Sequence, residues 1–392
     1  MYAIMFYNRC LIVILSIMTK TRHQSGVPNR LVFLNKLSTN FAIKPELKYP
    51  FKRGWHPQSD QPFEVADGVF WLYMPMPMSL DHINLWLLKD GDGWVIVDSG
   101  LDAPSCKAVW DKLFDTFLTP KSVNYIYLTH FHPDHIGLAA WLGHKCDCKI
   151  KITAGEFNHY HSIISRKNEQ HKAELDDFIQ ELGFKEEQAA NYKKFSTIDP
   201  KSPKDRVQQE NCEFISEHDR LTIGDHTWRV VMGSGHSPEH ACLYCPELKT
   251  MISGDQALPR ISSNISVYLI NRDENPLLNW LDSCAKLRDE IPVDTLILPS
   301  HQEPFYGIDL RMQQLIDDHI AQLNKLRLKA IEPITTNQAR RILFDRELSS
   351  FETMMATSEA LAHINYLLHN GELSKSVSDD QSMQYQMSEL IA

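Results

Sequence analysis

The sequence predicts an α/β protein: a sandwich of mixed β-sheets with helices outside, followed by a small helical domain. Three observations carry this. From residue 63 onward, short apolar runs read as strands and are led by hairpin signals. Segments with apolar residues at helical spacing alternate with them, which fits sheets covered by helices. Beyond residue 305 the pattern becomes a succession of amphipathic helices.

In chain order, Gly68–Leu72, Ile83–Leu88 and Trp94–Asp98 read as strands, and Asp90-Gly91-Asp92-Gly93 is the hairpin turn between the last two. Pro104–Phe117 is helical, Tyr125–Leu128 a buried strand, and Ile136–Leu142 opens a helix beneath the loop that follows it. Residues 155–200 form an insert rich in Glu, Lys, Gln and His, mainly helical, with Ala173–Leu182 its clearest piece. Thr227–Met232, Ala241–Tyr244 and Thr250–Ile252 are further strands. Arg311–Lys329, Thr336–Phe344 and Phe351–Asn370 are helices, with Thr335 or Thr336 as an N-cap and Gly371 as a stop.

Composition sets limits. The chain has 392 residues, 43% of them apolar and 23% charged, which is ordinary for a soluble globular protein with room for a large core. The net charge of −10 suggests no general affinity for nucleic acid or acidic membranes. Eight scattered cysteines form no small disulfide framework, which favours a reducing, cytoplasmic setting. The run Cys10–Met18 is too short to span a bilayer. Thr19-Lys20-Thr21-Arg22 follows it in place of a small-residue cleavage site, so a start at Met18 or later explains the run as well as a secretory signal does. Residues 1–50 read as a poorly ordered extension and 374–392, rich in Ser, Gln and Asp, as a disordered tail.

The chemistry concentrates after the strand Tyr125–Leu128. Thr129-His130-Phe131-His132-Pro133-Asp134-His135 places three imidazoles and a carboxylate within six residues, the pattern H-x-H-x-D-H. Neutral imidazole and carboxylate are the usual zinc ligands. Four such groups on one turn can point into one cleft but cannot all surround one ion. Alternation sets His130 and His132 apart from Asp134 and His135, which suits two metals about 3.5–4 Å apart.

This pattern resembles the signature of the metallo-β-lactamase superfamily, and further motifs follow in the family's order. Val95-Ile96-Val97-Asp98-Ser99-Gly100 looks like its strand ending in Asp and Gly. Gly235-His236-Ser237-Pro238-Glu239-His240, Ile252-Ser253-Gly254-Asp255 and Leu298-Pro299-Ser300-His301 look like its later ligand motifs. The resemblance implies an αββα hydrolase domain over residues 63–305. It implies that His130, His132 and His236 hold one metal, that Asp134, His135 and His301 hold the second, and that Asp255 bridges. Asp134 would also orient the nucleophilic hydroxide, and Asp98 would buttress the ligand loop from behind. Zinc is the expected metal, with iron and manganese suited to the same donors. Residues 306–373 resemble the small winged-helix-like domain of a superfamily branch that includes mammalian β-lactamase-like protein 2.

Several residues carry weaker signals. Arg260 and Asn264 follow Asp255 on a loop near the metals and are candidates for binding an anionic or amide part of the substrate; a loop fixed by its own hydrogen bonds competes evenly. His159 and His161 read as exposed helix-surface histidines, because the ligand set is complete without them. The insert carrying them is a candidate lid. His82 reads as structural, and Cys242-x-x-Cys245 with Cys146-x-Cys148 as buried free thiols rather than a zinc site.

The function expected is a binuclear-metal hydrolase with a metal-bridging hydroxide, acting on an ester or thioester of a small acyl compound, similar to glyoxalase II. Asp rather than Cys at 255 argues against the B1 and B2 β-lactamases. A metal-dependent phosphodiesterase or single-stranded RNA endonuclease is the second reading. A non-catalytic DNA-binding or regulatory module is the third. From residue 306 onward, 8 Lys/Arg face 12 Asp/Glu, so nucleic acid is not the expected partner. Packing on the catalytic domain or on a second subunit, as in a homodimer, is expected of that domain instead.

Overall fold

The computed structural model describes residues 46–392, apart from 79, 166–168, 197–204, 380–381 and 389–392. Positions 1–45 of the expected N-terminal extension lie outside it. Residues 46–50 are described, and Lys48 pairs in a β-bridge with Tyr306.

The architecture follows from strands that are apolar on both faces. In β3 (His82–Asp90), Ile83, Leu85 and Leu87 point one way, and Trp86 and Leu88 point the other. A two-residue loop joins it to β4 (Gly93–Val97), where Ile96 and Val95 divide in the same manner. A strand buried on both sides must lie between two layers. These two join β1 (Phe63–Ala66), β2 (Val69–Pro75), β5 (Val123–Tyr127), β6 (Lys149–Thr153) and β7 (Cys212–Ile215) in a seven-stranded sheet in sequence order. It is antiparallel from β1 to β4 and parallel from β4 to β7.

The second sheet runs β12-β11-β10-β9-β8, from β8 (Arg220–Ile223), β9 (His226–Gly233), β10 (His240–Cys245), β11 (Thr250–Gly254) and β12 (Leu296–Pro299). Trp86, Leu88, Val97 and Tyr127 of the first sheet meet Trp228, Val230, Leu243 and Ile252 of the second. Outside the first sheet lie α1 (Pro104–Thr116), α2 (Pro133–Ile136) and α3 (Ala139–Cys146), anchored by Trp110, Leu113 and Leu142. Outside the second lie α7 (Pro276–Glu290) and α8 (Ile308–Lys329) through Trp280, Leu277 and Met312. The expected αββα layering is present.

The insert holds α4 (Ala154–Ser165), α5 (Glu169–Glu181) and α6 (Glu186–Ser196). Phe178 and Tyr192 place the last two in the same core as α7 and α8. The C-terminal region adds α9 (Thr336–Leu343) and α10 (Ser350–His369), each with a capping box, from Thr335/Gln338 and Ser349/Glu352.

The expected disordered tail, 374–392, instead begins inside a hairpin of β13 (Leu373–Val377) and β14 (Met383–Met387). Its polar composition hides a period of two in β14, where Tyr385 is buried between half-buried Met383 and Met387 that pack on the same core, while β13 buries Leu373 alone. Tyr385 also bridges to Ile334, which ties the hairpin to the segment before α9. Among the described residues no helix is long and apolar enough to cross a membrane.

Candidate metal centre

Both motifs of the first ligand set sit where strands end and the chain turns across the edge of the sandwich. After β5, Thr129 leads into His130–His135, with Pro133 opening α2. Gly137 lets this turn close: a Cβ there would lie 2.2 Å from the Pro133 carbonyl. After β9, Gly235 has φ +103° and packs on the Trp280 backbone, which leaves no space for a side chain. At the end of β11, Gly254 lies against the His240 ring, and Asp255 follows it.

The structure brings seven predicted residues together. His130, His132 and His236 offer ligand atoms to one point, and Asp134, His135 and His301 to a second; Asp255 also forms a group with His130 and His135. His132 Nδ1 lies 3.0 Å from both His130 Nε2 and His236 Nε2. Tetrahedral donors about 2.0–2.1 Å from a zinc ion stand about 3.3 Å apart, so the spacing is near that of a ligand cage. In the second group, His301 Nε2 is 3.3 Å and His135 Nε2 3.7 Å from Asp134 Oδ2. Asp255 faces both groups: Oδ2 is 3.4 Å from His236 Nε2, while Oδ1 is 3.6 Å from His135 Nε2 and 3.5 Å from His301 Nε2.

The donor chemistry fits divalent cations. Burial first, and then neighbouring imidazoles, press His130 and His132 well below the usual histidine pKa, so both present neutral lone pairs. Around the second group, burial works against charge on His135 and His301, yet nearby carboxylates outweigh it and raise both: Asp98, Asp134 and Asp255 for His135, and Asp255 and Asp134 for His301. Burial likewise opposes ionisation of Asp134, but His135 and His301 hold it at about 2. These carboxylates stay ionised and are balanced by protons held on the imidazoles. His135 Nε2 and Asp255 Oδ1 are buried and have no hydrogen-bond partner among the described residues, which two ligands of one cation would resolve.

A ring of outer partners fixes each ligand. Asp98 accepts from Thr129 N and Thr129 Oγ1 at 2.8 Å each and from His135 Nδ1 at 2.7 Å. The Thr129 hydroxyl also meets His130 Nδ1 at 3.0 Å. His301 Nδ1 donates to the His82 carbonyl (2.9 Å) and His236 Nδ1 to the Asn264 carbonyl (2.8 Å). His132, whose Nδ1 faces the centre, meets Tyr268 Oη through Nε2 at 3.3 Å. Each contact selects which ring nitrogen is free for the centre.

Three positioning groups escaped the sequence reading. His240 accepts the Asp255 N–H at 3.0 Å and stacks on His130; burial lowers it to about 3, so it is neutral. Glu156 accepts from Phe131 N, Ser237 Oγ and Glu239 N, stitching two ligand loops together, and burial pushes it up to about 7. Tyr268 is the third. Only the H-x-x-x-H spacing of His236 and His240 hinted at any of these.

Other predicted residues sit differently. The Arg260 guanidinium is ion-paired with Glu303, and the Asn264 amide donates to Glu359, so internal partners hold both side chains. His159 is buried against Phe131 and beside Tyr268 rather than exposed, because α4 lies over the ligand loop. His161 is half-buried and its Nε2 bonds the Val207 carbonyl. His82 stacks on Tyr73 and lends its carbonyl to His301. Cys242 and Cys245 face opposite sides of β10, and both are free.

Comparison with known proteins places this geometry. A solved β-lactamase domain protein from Burkholderia ambifaria is 37% identical, over 87% of this chain and 98% of that one, with a TM-score of 0.78. A metallo-β-lactamase family protein from Thermus thermophilus shares the fold at 24% identity, over 83% of this chain and all of that one, with a TM-score of 0.70. The probable metallo-hydrolase YqjP of Bacillus subtilis is 22% identical over 309 residues, 77% of this chain and 93% of its own length. The profile of the metallo-β-lactamase-like C-terminal domain matches residues 323–388. The profile of the superfamily itself matches residues 78–301, more than half of the sequence and the whole span of the ligand residues, and the chain belongs to the metallo-β-lactamase superfamily.

Proposed function

We propose that this chain is a binuclear metal-dependent hydrolase of an ester or thioester of a small acyl compound. Asp255 carries the reading: one buried carboxylate turns one oxygen to each ligand group. Divalent cations held there, zinc by donor type, would lower the pKa of water toward about 7 and polarise a carbonyl oxygen. The chain's own residues do the rest. Asp134, the more exposed of the two carboxylates and held ionised at about 2, accepts a hydrogen bond from the attacking water and orients it. Asp98, His82, Asn264 and Tyr268 hold the imidazoles in their ligand tautomers.

An acyl substrate is favoured over a nucleic-acid backbone by the state of the nearby cations. Arg260 is paired with Glu303, Arg272 with Glu181, and Arg311 donates to the carbonyls of Leu258 and Ile261. A phosphodiester chain requires cations free to meet it. Helix α10 is buried from Ala356 to Asn365, so it offers no open face to a groove. The seven cysteines among the described residues are all free, which suits a reducing compartment.

The test is metal content of protein purified without added metal, beside a screen of thioesters, lactones, phosphodiesters and RNA. The expected result is about two metals per chain, with thioester or ester hydrolysis abolished in Asp134→Ala and His236→Ala. Cleavage of RNA alone would replace the acyl reading with the nuclease one. Less than one metal, and no activity after adding zinc, iron or manganese, would remove the hydrolase reading.

A further inference from the structure

The two ligand groups take their outer hydrogen bonds from different parts of the fold. His135 and His301 are held from the first sheet, by Asp98 just past β4 and by the His82 carbonyl in β3. His236 and His132 are held from the loop after Asp255, by the Asn264 carbonyl and the Tyr268 hydroxyl. That loop is in turn gripped by α10. Asn264 Nδ2 donates to Glu359 Oε2 at 2.7 Å and approaches the Met355 carbonyl at 3.4 Å. Val267 N donates to the Ser358 carbonyl at 3.3 Å, and the Ile265 N–H also serves Glu359. The amide cannot be turned round. Its oxygen accepts from Ser266 Oγ, and its nitrogen faces only acceptors.

Resting on the metal reading above, we propose that Glu359 is a positioning residue for the first ligand group, through Asn264 to His236. The C-terminal domain thereby completes the metal centre of the catalytic domain. Glu359 is buried, at 6% exposure, and sits on the helix with the most continuous burial of the region. A carboxylate placed there must answer a partner, and its partners are the Asn264 amide and the next N–H in the chain. Removing it frees the Asn264 side chain, loosens the carbonyl that fixes the His236 proton on Nδ1, and lets the ring turn. The second group meets this chain of bonds through Asp255, which faces His236 with one oxygen and His135 and His301 with the other.

The experiment compares full-length wild type with Glu359→Ala, Asn264→Ala and Glu359→Gln. Metal affinity at each site is read by competition with a chromophoric chelator, and Co²⁺ spectra report the geometry of the three-histidine group. Glu359→Ala and Asn264→Ala are expected to lose about 10–100-fold in affinity at the His130/His132/His236 group and to change its spectrum. The Asp134/His135/His301 group keeps its affinity. Glu359→Gln retains an acceptor oxygen and restores wild-type binding. Two wild-type sites in both alanine variants overturn the proposal, as does equal loss at both groups, which marks a general structural role. Should Glu359→Ala fail to fold, Asn264→Ala, which leaves the helix intact, decides. Wild type that takes up no metal overturns instead the reading on which this rests.

Discussion

Asp98→Asn isolates what one atom of the outer ring does. Asp98 occupies the left-handed region at φ 61°, which asparagine also tolerates, so the backbone is not perturbed. Its two oxygens meet three donors: Thr129 N, Thr129 Oγ1 and His135 Nδ1. Asparagine keeps one acceptor. If its nitrogen faces Thr129 N, two buried donors confront each other, at about 1–3 kcal/mol. If its nitrogen takes the other place, it donates to His135 Nδ1 and drives the His135 proton to Nε2, the atom that faces Asp134 and Asp255. The first outcome keeps the His135 contact and costs stability; the second falls on the second ligand group, with an expected loss of about 10–100-fold in metal affinity, equal to about 1.4–2.7 kcal/mol. Chelator competition measures it, with denaturant unfolding alongside. The double variant with Thr129→Val supplies the coupling, which should exceed about 0.5 kcal/mol. Second-site affinity within threefold of wild type, together with an additive cycle, would refute the tautomer argument.

The remaining predictions follow from the same geometry. Metal affinity at the Asp134/His135/His301 group should rise with pH more steeply than at the three-histidine group. His135 and His301 have raised pKa values and must release protons to ligate, whereas His130 and His132 are already neutral; isothermal titration at pH 6 and 8 in buffers of different ionisation heat reads the proton count. Gly235→Ala should cost about 3 kcal/mol or more in unfolding free energy, from φ +103° and a Cβ only 2.5 Å from the Trp280 nitrogen. Glu359 binds its proton up to about pH 7 in the folded chain against 4.5 ordinarily, because burial raises it. The folded state therefore holds the extra proton, and wild type should lose stability relative to Glu359→Gln as pH climbs from 4.5 through 7, by about 3 kcal/mol; urea midpoints at pH 5 and 8 check the sign.

Much of this was legible in the sequence because the chemistry is local. H-x-H-x-D-H sits on one turn, and each later ligand ends an apolar strand and lies next to or near a glycine or proline. The layers were legible because β3, β4 and β10 are apolar on both faces, which only an inner strand requires. What stayed hidden is non-local. Glu156 holds Ser237 and Glu239 from about 80 residues away, and nothing in Thr-Ala-Gly-Glu marks it as more than a helix start. The hairpin at 373–387 was masked by its composition, since a period-two pattern this short is legible only once Tyr385 is seen to be buried. Arg260 and Asn264 were read as substrate-binding candidates, but sequence does not reveal a partner such as Glu303 or Glu359 that claims a side chain first.

The asymmetry of support bears on how such a fold can vary its chemistry. The second group is pinned by strand-end atoms deep in the sandwich: Asp98, the Ser99 hydroxyl on the His135 carbonyl, and the His82 carbonyl. Changing any of these disturbs the core that the two sheets share. The first group depends on a loop and, through that loop's polar contacts, on helix α10. A change at Glu359 can therefore reach Asn264, and through its carbonyl His236, by way of polar contacts alone. In that same loop Tyr268 lies beside His159 of α4 and meets His132. Substitution of Glu359 should therefore weaken metal binding at the first group while leaving the second metal in place, which chelator competition reads.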